Sequence, residues 1–157
     1  MAKVVDLNNF KLNDAWSESD PTLQTRDAWV LSWNDGAVAS SAVLFEVMPG
    51  SHLGRHIHSA EEVIVVLEGT IEWECGGERE RTEAQSLVVA PPLVPHNVHN
   101  VGDGVARLVG FFPASSVVSV YDDLVMPANK RTGGTPIPTP EDVRIPSVAG
   151  KVERPRP

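Results

Sequence analysis

The chain of 157 residues contains one cysteine, one tyrosine and only 6% aromatic residues. The single cysteine, Cys75, cannot form an internal disulfide, so the fold must be held by packing alone. No apolar run reaches the length of about 18 residues that a transmembrane helix needs, which argues against a membrane protein. The first residues also lack the apolar centre of a secretory signal, and we therefore expect a cytoplasmic protein.

Positive charge is scarce as well. Thirteen Lys and Arg residues face 21 Asp and Glu residues, which gives a formal net charge of −8. A nucleic-acid surface requires clustered Lys and Arg side chains, so the composition excludes nucleic acid as a partner. With 41% hydrophobic and 22% charged residues the chain is typical of one globular domain. We expect its partner to be a small-molecule substrate.

The texture of the chain divides it into three segments. Residues 1–27 are polar and form an N-terminal arm, in which residues 13–18 indicate the start of a short helix. Residues 28–125 carry short apolar runs separated by turn signals, which predicts an all-β domain. Residues 126–157 are rich in Pro, Gly and Thr and form a C-terminal arm. The predicted strands are 29–33, 37–48, 56–58, 63–67, 70–74, 87–90, 96–101, 105–112 and 117–121.

The most informative segment runs from residue 50 to residue 69. His56 and His58 are two residues apart, so on a strand both imidazoles point to the same side. Glu62 follows at the start of the apolar run 63–67, and strand alternation turns the neighbouring Glu61 away, which favours Glu62 as the functional carboxylate. Two imidazoles and a carboxylate are a typical ligand set for a first-row divalent metal.

A second segment supplies a fourth ligand. The apolar strand 87–90 is followed by the proline-rich bend 91–95 and then by His96, which opens another short strand. This arrangement returns the chain to the same end of a barrel. We therefore expect His56, His58, Glu62 and His96 to bind one metal ion, since burying so many ionisable groups without one is costly. His99 lies at an odd offset from His96, which predicts that it faces outward.

Both segments resemble the two sequence motifs of the cupin family. The first matches over its whole length, from Gly50 through the histidines and Glu62 to Gly69. The second departs at two positions, because Gln85 and Leu93 stand where the family usually has glycine. Those glycines serve turns, so the departures concern loop shape more than metal ligation. The resemblance covers about residues 28–121 and implies a double-stranded β-helix, a jelly-roll barrel of the cupin type.

The resemblance also implies a class of chemistry. One divalent transition metal per chain is expected, with iron favoured and manganese, nickel, zinc or copper as alternatives. Iron suits a dioxygenase, which is the leading hypothesis, whereas manganese, nickel or zinc suits a non-oxidative isomerase, lyase or decarboxylase. A third alternative is a non-catalytic module that binds a small molecule. Tyr121 is the candidate acid or base, and Arg55 and Arg107 are candidate partners for a substrate carboxylate.

The arms also carry an expectation about assembly. A small barrel leaves strand edges exposed, and such edges invite pairing with another chain. The two terminal arms are long enough to cover them across an interface. We therefore expect a homodimer in which the arms pack against, or exchange with, the partner copy.

Overall fold

The computed structural model describes residues 4–136, and these residues form a nearly all-β structure. Two short 3-10 helices, Leu7–Asn9 and Trp33–Asp35, accompany the strands. The strands of the described part are β1 (Asn13–Trp16), β2 (Gln24–Leu31), β3 (Ser41–Val47), β4 (His56–His58), β5 (Glu62–Glu68), β6 (Thr70–Cys75), β7 (Glu78–Glu83), β8 (Leu87–Ala90), β9 (His96–Asn100), β10 (Ala106–Phe112), β11 (Val118–Val125) and β12 (Lys130–Gly134).

These strands make two six-stranded antiparallel sheets. One has the order β1-β2-β3-β10-β5-β8, and the other has the order β12-β11-β4-β9-β6-β7. From β3 to β11 the chain changes sheet at every connection except β6 to β7, so the glycine turns at Gly69 and Gly102 join sheets rather than close hairpins. The predicted all-β class is therefore confirmed.

The core lies between the two sheets because successive side chains of a strand point to opposite faces and one face of each sheet is apolar. In β5 the inward residues Ile64 and Val66 are fully buried, whereas Val63 and Val65 face the other side and are half-buried. The same alternation in the facing strands completes one continuous cluster. Its buried members are Phe45, Val47, Leu53, Ile64, Val66, Ile71, Trp73, Ala90, Val98, Ala106 and Leu108.

The sequence-based strand assignment missed three strands and misassigned one segment. Residues 13–16, where a helix start was expected, form β1 instead, since they pair with β2 over its first four residues. β7 was missed because its alternating Glu and Arg side chains show no apolar face. β12 was missed because its glycines and Thr132 look like linker. The expected C-terminal arm beyond residue 136 lies outside the described residues.

The two departures from the second motif adopt the backbone conformation that glycine would provide. Gln85 has a φ of 71° and Leu93 has a φ of 62°, both in the left-handed region. The Leu93 amide donates a 2.9 Å hydrogen bond to the His58 carbonyl, which ties the proline bend to β4. The loop shape is thus retained, at the steric cost that a side chain incurs in this region.

Candidate metal centre

Four side chains from three neighbouring strands meet inside the barrel. β4 supplies His56 and His58, the first residue of β5 supplies Glu62, and the first residue of β9 supplies His96. β4 pairs with β9 so that His56 lies directly opposite His96, while β5 belongs to the facing sheet. All four side chains are buried, whereas Glu61 is exposed. The structure therefore brings together all four predicted ligands and selects Glu62 over its neighbour.

Their ligand atoms form a compact group. One nitrogen or oxygen atom from each residue lies within 4.8 Å of all the others. His56 Nε2 is 3.0 Å from His58 Nε2, and Glu62 Oε2 is 3.1 Å from His58 Nε2 and 3.5 Å from His96 Nε2. Metal–nitrogen and metal–oxygen bonds of about 2.1 Å place adjacent ligand atoms roughly 3.0–3.4 Å apart. The separations fit ligands around a common ion.

The opposite ring nitrogens are already engaged. His56 Nδ1 donates to the Gly54 carbonyl at 2.7 Å, and His96 Nδ1 donates to the Val94 carbonyl at 2.8 Å. Because a carbonyl only accepts, these two imidazoles carry their proton on Nδ1 and turn an Nε2 lone pair inward. His58 Nδ1 lies 2.9 Å from the Ser119 hydroxyl. Such outer partners fix ring orientation in metal sites.

This arrangement fits a cation at its centre. Glu62 Oε2 and His96 Nε2 are buried without a hydrogen-bond partner among the described residues. Without a cation, the Nε2 lone pairs of His56 and His96 and the Glu62 carboxylate oxygen would face one another at about hydrogen-bond distance. Too few protons would then lie between them to form hydrogen bonds. The three imidazoles and the carboxylate therefore fit a divalent transition metal, and their nitrogen and oxygen donors leave its identity open.

The electrostatics keep these groups ready for a metal. Burial, followed by the neighbouring His96 and His58, lowers the pKa of His56 to about 3. Burial alone would raise the pKa of Glu62, but the adjacent His58 and His96 outweigh it and lower that pKa to about 2. Near neutral pH His56 is thus neutral and Glu62 ionised, which are the states that coordinate a metal.

A cavity of about 300 Å³ opens onto three of the four ligands. Its walls are mostly apolar and include Trp29, Phe45 and Leu53, with His56, His58 and Glu62 exposed to it on one side. This volume suits a small organic molecule. A ligand in the cavity would therefore contact the metal centre directly.

Tyr121 and Asp27 are further ionisable groups that line the same cavity. Tyr121, the predicted acid or base, stacks on His56 with ring centroids 4.7 Å apart. Burial, followed by the charges of Asp27 and Glu62, raises the pKa of Tyr121 above its usual value, so its hydroxyl keeps its proton. Asp27 lines the cavity from β2, and burial raises its pKa to about 6.

The other predicted polar residues lie away from the cavity. His99 Nε2 is 3.1 Å from Glu74 Oε2, which agrees with its expected separation from the metal ligands. Arg55 pairs with Asp122 on the exposed surface, and Arg107 contacts the Leu7 carbonyl on the outer side of its sheet. The suggestion that these arginines bind a substrate carboxylate in the barrel is therefore wrong, because neither lines the cavity.

Sequence reasoning missed three residues of the site. Asp27 fell in the expected N-terminal arm, although its alternation with Thr25 and Trp29 already indicated a strand with one inward face. Ser119 gave no signal, since it contacts His58 only through strand pairing between β4 and β11. Gly110 also gave none, although it lies directly against Glu62.

Comparison with known proteins agrees with this geometry. Residues 43–112 match the family model described as "Cupin domain". The chain belongs to the cupin superfamily. The match contains both strands of the first motif and His96 of the second, so the expected family is confirmed.

The similar proteins include one curated sequence and several solved structures. "Polyketide synthase CurC" of Streptomyces cyaneus is 33% identical over 75 residues, which are 47% of this chain and 49% of that protein. This cupin therefore matches only about half of its curated relative. The structure of the polyketide cyclase RemF from Streptomyces resistomycificus has a TM-score of 0.59 at 23% identity, over 72% of this chain and 80% of that chain.

Two other structures share the fold at lower identity. KdgF from Halomonas sp. has a TM-score of 0.57 at 18% identity, over 72% of this chain and 94% of that one. An oxalate decarboxylase from Lactobacillus farciminis has a TM-score of 0.62 at 18% identity, over 74% of this chain and 34% of that one. These likenesses establish a double-stranded β-helix for this cupin. Within residues 4–136, no helix is long and apolar enough to cross a membrane.

Proposed function

We propose that this cupin is a metal-dependent enzyme that converts a small carbonyl compound through its enolate, without using dioxygen. The observation that carries this proposal is the buried set of three imidazoles and one carboxylate that opens into a largely apolar cavity of about 300 Å³. The cyclisation of a polyketide is one reaction of this class, because it joins an enolate carbon to a second carbonyl.

A divalent metal in this centre would act as a Lewis acid toward a carbonyl oxygen and stabilise negative charge on it. His56, His58, Glu62 and His96 would hold the ion, and four ligands leave room on an octahedral metal for substrate. Tyr121 keeps its proton and can donate a hydrogen bond to a second substrate oxygen. The apolar walls would exclude water from the reactive enolate.

The relatives support a non-oxidative reaction. The 33% identity to CurC spans part of both chains, and the fold likeness extends to the polyketide cyclase RemF. The chain matches only about half of CurC, so the class of substrate is proposed from the cavity and not taken from that relative. We propose a substrate with two or more carbonyl groups and an apolar skeleton, since the cavity offers the metal, Tyr121 and Asp27 as its main polar contacts on an apolar wall.

The iron-dependent dioxygenase expected from the sequence is the second candidate. The same nitrogen and oxygen donors also suit iron, and the open positions would accommodate substrate and dioxygen side by side. The cytoplasmic location expected from the sequence stays a prediction.

Two measurements on one sample test these alternatives. The full-length protein is purified without added metal or a chelating tag, and its metal content is measured. It is then mixed in D2O with 3-methylpentane-2,4-dione, whose C3 proton exchange is followed by NMR while an electrode records dissolved oxygen. We expect about one metal per chain and exchange faster than in buffer, with both lost in His58→Ala.

The outcomes separate the three functional classes. Faster exchange without oxygen uptake supports the enolate-forming enzyme. Oxygen uptake in step with loss of the diketone would replace it with the dioxygenase. Tight binding of the diketone with neither exchange nor uptake, under any metal, would identify a non-catalytic binding module.

A further inference from the structure

Asp27 is the one cavity-lining carboxylate outside the metal centre. It lies on β2 opposite Phe45 of β3, and both of these residues line the cavity. Its neighbour Arg26 points to the opposite side of the sheet, where it pairs with Glu46 at 2.5 Å. Because side chains alternate along β2, the Asp27 side chain points into the barrel, whereas the Arg26–Glu46 ion pair lies on the outer face of the sheet.

No structural partner explains this placement. The Asp27 carboxylate makes no hydrogen bond and no ion pair with any of residues 4–136, although its main-chain carbonyl accepts a bond from Asn13. Lys130 also lines the cavity but forms no ion pair with the Asp27 carboxylate. Asp27 is half-buried, and a carboxylate partly removed from water without a partner destabilises the fold, which is typical of a site where chemistry needs it.

We propose that Asp27 is the catalytic base that takes the substrate proton, a role that rests on the proposed function. The C–H bond beside the carbonyl breaks, its proton passes to an Asp27 oxygen, and the electron pair moves onto the carbonyl oxygen to form the enolate. When the enolate carbon attacks a second carbonyl, a carbon–carbon bond forms and Asp27 returns the proton to the new alkoxide. No electron acceptor or donor is consumed.

The surroundings of Asp27 suit this role. Near neutral pH a base works best when its pKa lies close to the working pH, and burial raises that of Asp27 to about 6. The other ionisable groups that line the cavity are Glu62 of β5, His56 and His58 of β4, Tyr121 of β11 and Lys130 of β12. Glu62 and the histidines are assigned to the metal, and Tyr121 keeps its proton, which leaves Asp27 as the one carboxylate of the cavity free to accept a proton.

The test compares Asp27→Asn and Asp27→Ala with Asp14→Asn, a change at an exposed carboxylate on neighbouring β1. We expect the enzyme-dependent exchange of 3-methylpentane-2,4-dione to fall about 10²-fold in both Asp27 variants, with metal content unchanged. Exchange by the unmodified protein should rise with pH through about 6, following Asp27 ionisation. Carbon-13 NMR of the aspartate carboxyls should show a signal with that midpoint, absent from Asp27→Asn.

The failures are distinguishable. Unchanged exchange in Asp27→Asn, or no aspartate signal with a midpoint above 5, would overturn the role of Asp27 and leave the proposed function standing. Exchange no faster than in buffer with the unmodified, metal-loaded protein would overturn the proposed function and the base together.

A second inference concerns the outer face of the first sheet. Outward side chains of β5, β8 and β10 form an apolar surface, here termed the outer patch, in which Phe111 lies beside Val63 and Val63 beside Val89, while Val65 lies beside Leu87. Leu87, Val89 and Phe111 are 66%, 46% and 43% exposed. Elsewhere on this face Val5, Leu7 and Leu12 cover the sheet. Among the described N-terminal residues, these three pack against another part of the face and not against the outer patch.

The edge strand beside the outer patch differs from the other edges. β8 ends its sheet and contains no charged residue, whereas β7, which ends the other sheet, alternates Glu and Arg. Charged side chains on an edge prevent unwanted strand pairing. The edge of β8 lacks that protection and lies next to an apolar surface, which is the arrangement expected of an edge that is paired in the assembled protein.

We infer that β8 and the outer patch form the interface with a second copy of this chain around a two-fold axis. A two-fold interface places the same surface on both subunits, so an uncharged patch is self-complementary in a chain of net charge −8. A stable interface buries about 800 Å² on each partner, and the outer patch would be its apolar centre. This surface differs from the arm exchange expected from the sequence.

Light scattering of the full-length protein at micromolar concentration tests this interface. We expect twice the chain mass of 17.0 kDa for the unmodified protein, and the single-chain mass for Leu87→Lys combined with Val89→Lys. Arg81→Glu, on the charged edge β7, should remain dimeric. A monomeric unmodified protein, or a dimer that persists in the double variant, would overturn the outer patch as the interface, and the second result would favour arm exchange.

Discussion

Gly110 lies directly against the carboxylate of Glu62, and a methyl group on its α carbon would overlap Glu62 Oε1. Gly110 is on β10 and has an ordinary backbone conformation, so the absence of a side chain here provides space rather than conformational freedom. The position of the carboxylate in the metal centre therefore depends on a residue that binds nothing itself.

Gly110→Ala should displace Glu62 and weaken metal binding. Outer residues that position ligands typically contribute 10- to 100-fold to metal affinity, and we expect a loss of about that size. Metal content and a competition titration with a chelator measure it. Gly104→Ala is the control, because a methyl group at Gly104 meets no atom within 4 Å. Equal affinity in both variants would show that Glu62 is not held as described.

Alanine substitution should distinguish the histidines that bind the metal from His99, which lies outside the metal centre. His58→Ala and His96→Ala should each abolish stoichiometric metal binding, because each removes a buried donor from the centre. His99→Ala should retain full occupancy, since His99 pairs with Glu74 outside it. Elemental analysis after dialysis gives the readout, and full occupancy in either ligand variant would remove that histidine from the set.

The hydroxyl of Ser119 should matter through His58. It is the partner 2.9 Å from His58 Nδ1, so Ser119→Ala frees that ring to rotate. We expect metal affinity to fall about tenfold while the fold is retained. Ser116→Ala, at an exposed position, is the matched control. A chelator titration would contradict this role if the two variants gave the same affinity.

Leu93→Gly should stabilise the protein by about 0.5–1 kcal/mol, because glycine removes the steric cost at a φ of 62°. Leu124→Gly is the control, since Leu124 is 45% exposed and Leu93 is 65% exposed. Leu124 lies in the extended strand β11, so glycine there should destabilise by a similar amount. Urea unfolding at constant metal concentration measures both, and destabilisation by Leu93→Gly would show that the left-handed turn is not strained.

Asp27→Asn should stabilise the protein in a pH-dependent way. The folded-state pKa of about 6 lies above the ordinary aspartate value of 3.8, so the folded state favours the protonated acid. Ionised Asp27 therefore destabilises the fold increasingly as pH rises from about 4 to 6, by at most about 3 kcal/mol above that range. We expect Asp27→Asn to unfold at higher urea concentration than the unmodified protein at pH 8 and at the same concentration at pH 4.

That comparison has a clear contrary outcome. A stability difference that is the same at pH 4 and pH 8 would show that the Asp27 carboxyl has an ordinary pKa, and that the amide acts through packing alone. The exposed Asp14→Asn variant should show no difference at either pH.

Three of the four residues of the metal centre could be predicted from the sequence because their spacing is local. His56 and His58 lie on one side of a strand through the two-residue period, and Glu62 follows within the same motif. His96 was predicted separately, from its place after the proline-rich bend of the second motif. The existence of a strand was equally predictable where apolar residues run together, as in β5 and β10. It was not predictable in β7, whose charged side chains face solvent on an edge and leave no hydrophobic pattern.

Tertiary structure alone decided what surrounds those ligands. Ser119, Gly110 and Asp27 are 61, 48 and 35 residues away from His58, Glu62 and Glu62 respectively, and only strand pairing and sheet packing bring them to the site. The sequence by itself determined the family, the all-β class and the four clustered side chains, since two short motifs encode them. The cavity, its unpaired carboxylate and the exposed outer patch follow from which sheet faces meet, which depends on contacts between distant parts of the chain.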